Sequence, residues 1–139
     1  MHLSNHIPDY YKIHQIPKKN GKFRTIEAPA PILKRIQKYI LHCVLPVHQV
    51  GNDNENLIKK FAATAFETGC SIKRNALPHC GKAVIVSLDV KNFFPSLRYH
   101  YVLELLKQCV CEENIAVMLA KFCTFHGHLP QGAITSPHI

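Results

Sequence analysis

The chain has 139 residues, 47% of them hydrophobic, which is enough to fill one ordinary domain and excludes the apolar-poor composition of a disordered protein. Seventeen Lys and Arg against nine Asp and Glu leave a formal charge of +8, and ten histidines can add to it in acidic or phosphate-rich surroundings. That balance points to a polyanionic partner, nucleic acid being the commonest, with a merely basic globular protein as the plainer alternative.

The opening MHLSNHIPDYY has no apolar core of a secretion signal, and the most apolar later run, YILHCVLPV, is short and broken by His42 and Pro46. A soluble, cytoplasmic protein is expected. Six cysteines without a CxxC pair or a secretion signal are expected to be free buried thiols.

In chain order, IPKKNGKFRTIEAP sets Asn20-Gly21 between two short segments, Lys12 to Pro17 and Lys22 to Glu27, the mark of a tight hairpin. Its tip carries Lys18, Lys19, Lys22 and Arg24. Such a tip is either a solvated turn or a basic finger that closes over a triphosphate, with Arg24 supplying the fork that matches phosphate oxygens. Alternation puts Lys22, Arg24 and Ile26 on one face, so the two cations can act together.

From Pro29 to Val47, Ile32, Leu33, Ile36, Ile40, Leu41 and Val44 recur at helical spacing with Lys34, Arg35 and Lys38 on another face, predicting one amphipathic helix with a basic outer surface. Gly51 to Gly81 shows no clear period and receives only a short helix near Ser71 to Leu77. KAVIVSLD reads as a buried strand ending in a carboxylate, and Arg98 to Cys109 and Glu112 to Phe125 as two helices. Hairpin, helix, connector, strand, two helices and a turn-rich end make an α+β fold rather than regular βαβ alternation.

Asp89 follows six uncharged residues, and a carboxylate at the end of a buried strand must be paired, hydrogen-bonded or bound to a cation. It either caps the next helix or serves as an oxygen ligand for Mg²⁺. Phe93 and Phe94 are core filling, or a ring rigid enough to exclude a ribose 2′-hydroxyl. In LPQGA, Gln131 offers an amide in a stiff turn, fit for a sugar or base edge or simply a polar loop position. Cys123, His126 and His128, with Cys109 or Cys111, raise a zinc question, although their spacing matches no finger pattern. No GxxxxGK[ST], GxGxxG, HExxH or GxSxG is present, so P-loop hydrolases, dinucleotide oxidoreductases, zincins and α/β-hydrolases find no support.

Taken in order, IPKKNGKFRTIEAP, LKRIQKYIL, AFETGCSIKRNALPHCGK, VIVSLDVKNFFPSL and LPQGAITSP resemble the first half of a reverse transcriptase, most closely the bacterial retron type, with group II intron enzymes as the nearest relatives. The resemblance runs from about Tyr11 to Pro137. It implies a right-hand polymerase, incomplete: residues 1–80 as fingers and 81–139 as the beginning of the palm.

Residue by residue, it makes Asp89 the first catalytic aspartate, ligating Mg²⁺ with the backbone carbonyl of Val90, and Phe94 the steric gate against ribonucleotides. Arg24, with Lys18, Lys19 or Lys22, would contact the incoming deoxynucleoside triphosphate, and Gln131 the nucleotide and the template-primer. Ser71, Asn75 and His79 match a retron signature. An RNA template and a DNA or RNA primer are the implied partners, and retron enzymes copy part of a structured RNA into DNA and act in defence against phage.

The family usually has proline where this chain has Ile134, a change expected to loosen the loop. Its YxDD turn, with two further aspartates, and its thumb would lie downstream. The resemblance therefore makes the chain a fragment, ended by a frameshift, an early stop or an incomplete gene record, that lacks polymerase activity alone unless a second polypeptide supplies the rest. A non-catalytic nucleic-acid-binding module, using the basic face of the Ile32 to Val44 helix, is the competing reading.

Overall fold

The computed structural model describes residues 6–19, 21–45 and 70–139. The fold is mixed helix and strand, and the chain separates into two compact units, Met1–Gln49 with Asn92–Ile139, and Val50–Lys91.

The first unit is organised around an antiparallel hairpin, β1 (Tyr11–Pro17) and β2 (Phe23–Pro29), in the register Tyr11↔Pro29 to Pro17↔Phe23. The Lys18 amide donates to the Lys22 carbonyl at 2.6 Å, so the connection is longer than the two-residue turn expected from Asn20-Gly21. Gly21 takes φ +76°, a conformation glycine adopts without steric cost. Asn20 lies outside the described residues.

Helix α1 (Pro31–Tyr39) starts on a proline, whose fixed φ and missing N–H suit a first helical position, and continues as a π-helical turn, Ile40–Val44. The predicted extension through Pro46 and Val47 falls outside the described residues. The expected stripe is only partly right: Leu33, Ile40 and Leu45 are buried and Ile36, Leu41 and Val44 half-buried, but Ile32 is 46% exposed, and the residue completing the buried face is Gln37. Lys34, Arg35 and Lys38 are exposed, as the amphipathic reading requires.

After a single turn, α3 (Phe93–Ser96), entered through Asn92 at φ +53°, come α4 (Tyr99–Cys109) and α5 (Glu113–Cys123), within two residues of the predicted spans. Their facing stripes are Val102 and Leu106 on α4 and Ala116, Leu119, Ala120 and Cys123 on α5, the two alanines allowing close approach. With Ile7, Tyr11, Leu33, Ile40, Phe125 and Leu129 they form one core, in which the Tyr11 and Phe125 rings lie 4.5 Å apart.

At the centre of this core Gln37 is fully buried and fully used. Its Nε2 donates to the Tyr11 hydroxyl and to the Phe122 carbonyl, both at 3.0 Å, and its Oε1 accepts from the Ile134 amide at 3.4 Å. One side chain thus joins β1, α1, the end of α5 and the final loop. The Ile134 bond also corrects the expected loosening: proline would lack the N–H that anchors the loop here.

In the second unit, Ser71 caps helix α2 (Ile72–Ala76) by accepting from the Arg74 amide at 3.3 Å, and a 3₁₀ turn, Leu77–His79, follows. The helix expected near Ser71 to Leu77 is therefore present. The buried strand expected over Ala83 to Leu88 is not. The stretch is assigned no strand, with Val84 78%, Val86 75% and Leu88 91% exposed. A β-branched run becomes a strand only when a neighbour takes its backbone N–H and C=O groups, and no described residue pairs with it. No described helix is long and apolar enough to cross a membrane.

The thiols also depart from expectation. Cys43, Cys80 and Cys111 are exposed, Cys70 and Cys109 half-buried, and only Cys123 is buried. Burial pushes the Cys123 thiol up to about 12, the adjacent Thr135 hydroxyl opposing this slightly. That hydroxyl is itself buried, and its geometry toward Cys123 falls short of a full hydrogen bond. Burial likewise raises the Tyr11 phenol, against the bond from Gln37.

Three outcomes are expected. Gln37→Leu, which keeps volume but orphans three buried partners, should destabilise the protein by about 2–4 kcal/mol in urea unfolding, and a loss under about 0.5 kcal/mol would show the network to be dispensable. The Cys123 thiol and Tyr11 phenol keep their protons when folded, whereas an unfolded chain releases them near their ordinary values of 9.0 and 10.0. Their contribution is therefore fully present below about pH 9 and is lost as pH rises above it, so the urea midpoint should fall as pH rises from about 9 to about 12. Alkylation at about pH 8 should label Cys43, Cys80 and Cys111 long before Cys123.

Candidate functional site

The hairpin tip concentrates positive charge. Lys18, Lys19, Lys22 and Arg24 are all exposed, and Ile16, Pro17, Lys18, Lys19 and Arg24 line an open cleft of about 480 Å³. Arg24 sits opposite Ile16 in the ladder, so the two side chains share a face of the ribbon. Lys22 is not among the residues lining the cleft.

At the other end of β2 the hairpin is joined to the LPQG loop. The loop begins with a tight reversal, Phe125 to His128, whose central residues His126 and Gly127 both have positive φ (47° and 76°), as a type I′ turn requires. Leu129 then donates to the Leu97 carbonyl at 2.8 Å and is fully buried, and the Ser136 hydroxyl holds the Pro130 carbonyl at 2.6 Å. Gln131 follows, half-buried.

Glu27 makes the junction. Its amide donates to the Gln131 carbonyl at 2.9 Å, its carboxylate accepts from the Gln131 amide at 3.3 Å, and His128 Nε2 lies 3.2 Å from both carboxylate oxygens. The Glu27 and His128 side chains are only 13% and 17% exposed. Gly132, at φ +135°, completes the fit: a Cβ there would stand 2.9 Å from Ile26 Cγ2 and 3.0 Å from the Glu27 carbonyl oxygen. Arg24 and Glu27, three residues apart on one strand, are separated by roughly 10 Å of backbone.

Phe94 is half-buried against the core, with Phe93 edge-on at 5.5 Å and 48% exposed. Lys18, Lys19, Lys22, Arg24, Phe94 and Gln131 all belong to the first unit, where Lys18, Lys19 and Arg24 share one cleft. Asp89 and Val90 belong to the second unit and are exposed. Asp89 neither ends a buried strand nor caps the next helix, since the N-cap of α3 is Asn92. Among the described residues no three His, Cys, Asp or Glu side chains come together as a metal site would need, so Cys123, His126 and His128 do not form the zinc cluster that their presence suggested.

Sequence reasoning misses Glu27, and it raises His128 only as a zinc question rather than as the partner of Glu27. The available signal is a lone carboxylate near the end of β2, which needs a partner if it is covered. Its partner lies about a hundred residues away, beyond the reach of any local pattern.

Residues 16–139 match the family model of the reverse transcriptases (RNA-dependent DNA polymerases). The retron Mx162 reverse transcriptase of Myxococcus xanthus is 36% identical across 94% of this chain and 29% of its own length. For the retron Ec86 reverse transcriptase of Escherichia coli the values are 32%, 93% and 38%, and for the retron Mx65 reverse transcriptase of Myxococcus xanthus 34%, 88% and 28%. The chain thus spans about a third of the length of these curated relatives. The hairpin, the LPQG loop and these matches together place the chain in the reverse transcriptase family, with its similarity running to the retron type.

Proposed function

We propose that this chain carries the fingers, residues 1–80, and the beginning of the palm, residues 81–139, of a right-hand RNA-directed DNA polymerase of retron type, and that its basic hairpin binds the incoming deoxynucleoside triphosphate. The observation that carries the reading is the cleft of Lys18, Lys19 and Arg24 on a hairpin fastened at its other end to Gln131. Cations in an open cleft draw in a polyphosphate, and the planar guanidinium of Arg24 can hold two of its oxygens at once.

In the reaction, a primer 3′-hydroxyl attacks the α-phosphate in line, a new P–O bond forms and pyrophosphate leaves. Lys18, Lys19 and Arg24 bind the β- and γ-phosphates and offset the charge that grows on the departing pyrophosphate, Lys22 adding to the field of the tip. Gln131 contacts the nucleotide's sugar or base, and Phe94 limits space at the ribose 2′ position. Asp89 is exposed, and its carboxylate and the Val90 carbonyl would be the oxygen ligands this chain offers to Mg²⁺. When bound, Mg²⁺ neutralises phosphate charge and lowers the barrier to attack. The basic surface follows an RNA template and its primer, making binding steeply salt-dependent.

The competing reading, a nucleic-acid-binding module, draws on one observation: Lys34, Arg35 and Lys38 are exposed together on α1. Titration of the purified chain with dTTP and Mg²⁺ separates the two. Arg24→Ala should weaken dTTP binding about tenfold or more, the scale of a lost charge-assisted bond, and Lys19→Ala less. Unchanged dTTP affinity in Arg24→Ala, with RNA binding lost in Lys34→Ala/Arg35→Ala/Lys38→Ala, would favour the binding module instead.

A further inference from the structure

The proposed nucleotide site has two contacts that must keep a fixed spacing, Arg24 on the phosphates and Gln131 on the sugar or base, and they lie on segments more than a hundred residues apart in sequence. We infer that Glu27 is the positioning residue that sets this spacing, and that it acts through Gln131. The inference rests on the nucleotide-binding reading above.

Glu27 is joined to Gln131 at two points, amide to carbonyl and carboxylate to amide, at 2.9 and 3.3 Å. One bond would leave the loop free to swing, whereas two between the same pair of residues fix both the position and the tilt of the Gln131 backbone. The second carboxylate oxygen and the first are both within 3.2 Å of His128 Nε2, so the carboxylate cannot rotate away without losing a further partner. Gly132 lets the loop backbone lie directly on Ile26 and Glu27, closing the space a movement would need. β2 is a continuous strand from Phe23 to Pro29, so whatever displaces Arg24 carries Gln131 with it.

The geometry also explains why a carboxylate stands so close to a cluster of cations whose task is to hold an anion. Glu27 is covered and its oxygens are occupied by Gln131 and His128. Its negative charge is therefore turned toward the loop and away from the cleft, whose lining residues do not include it.

The test is a double-mutant cycle on dTTP affinity in the 139-residue chain, with the dTTP-induced change in the nuclear magnetic resonance shift of the Gln131 side-chain amide as a second readout. Glu27→Ala should weaken dTTP about fivefold to twentyfold and abolish the Gln131 shift, and Glu27→Gln, whose amide oxygen still accepts the Gln131 N–H, should recover most of both. In a Gln131→Ala background Glu27→Ala should then cost nothing further. An additive loss in that background, or an unchanged Gln131 shift in folded Glu27→Ala, overturns the inference. Should Glu27→Ala fail to fold, the same cycle run with Glu27→Gln decides on the same criterion. Arg24→Ala in parallel separates the two levels: if it leaves dTTP affinity unchanged, the nucleotide-binding reading fails first, whereas a loss in Arg24→Ala with additive Glu27 effects sinks only the positioning role.

Discussion

A single buried amide holds the first unit together. Gln37 sits with no exposure between a strand, a helix terminus and a loop, and each of its polar atoms has a partner in one of them. A buried amide without partners is costly, and with all of them it specifies one arrangement of the groups that supply them. The apolar contacts of α1, α4 and α5 give the unit most of its stability but tolerate sliding. Gln37 removes that tolerance, because a shift of one turn would leave the Tyr11 hydroxyl, the Phe122 carbonyl and the Ile134 amide unsatisfied together.

The site is built outward from this frame. Tyr11 begins β1, and β1 sets the register of β2, so fixing Tyr11 fixes the ribbon that ends in the basic tip. Ile134 lies two residues beyond Gly132, so fixing it fixes the loop that carries Gln131. Glu27 then closes the circuit directly between ribbon and loop. The cationic tip projects from this ring of contacts into solvent, where lysines and an arginine on an open cleft keep the rotamer freedom needed to close on a ligand.

Much of this was legible in the sequence, for identifiable reasons. The hairpin announced itself through Asn20-Gly21 between alternating segments, and α4 and α5 through four-residue spacing of large apolar and small residues. The short helix expected near Ser71 to Leu77 is present, and its start is set by a local device, the Ser71 capping hydroxyl. What failed depended on distant partners. Gln37 lies four residues after Leu33 and three before Ile40, on the stripe that is buried, yet the apolar pattern does not include it. A polar residue in such a place signals a buried hydrogen bond, but nothing local names its partners. Ala83 to Leu88 has a strand's composition, yet composition supplies only half of a ladder. Glu27 shows in the sequence only as a carboxylate without a local partner, because its role exists only once the LPQG loop has folded back onto β2.

The most direct test of the account is native-state hydrogen exchange at the Ile134 amide. If Gln37 holds the loop to the core, that proton exchanges only through global opening, with the same protection free energy as the amides of Val102 and Leu106. Fast exchange at Ile134 through local opening, with Val102 and Leu106 still protected, would show that the loop is not held by Gln37 and would contradict the account.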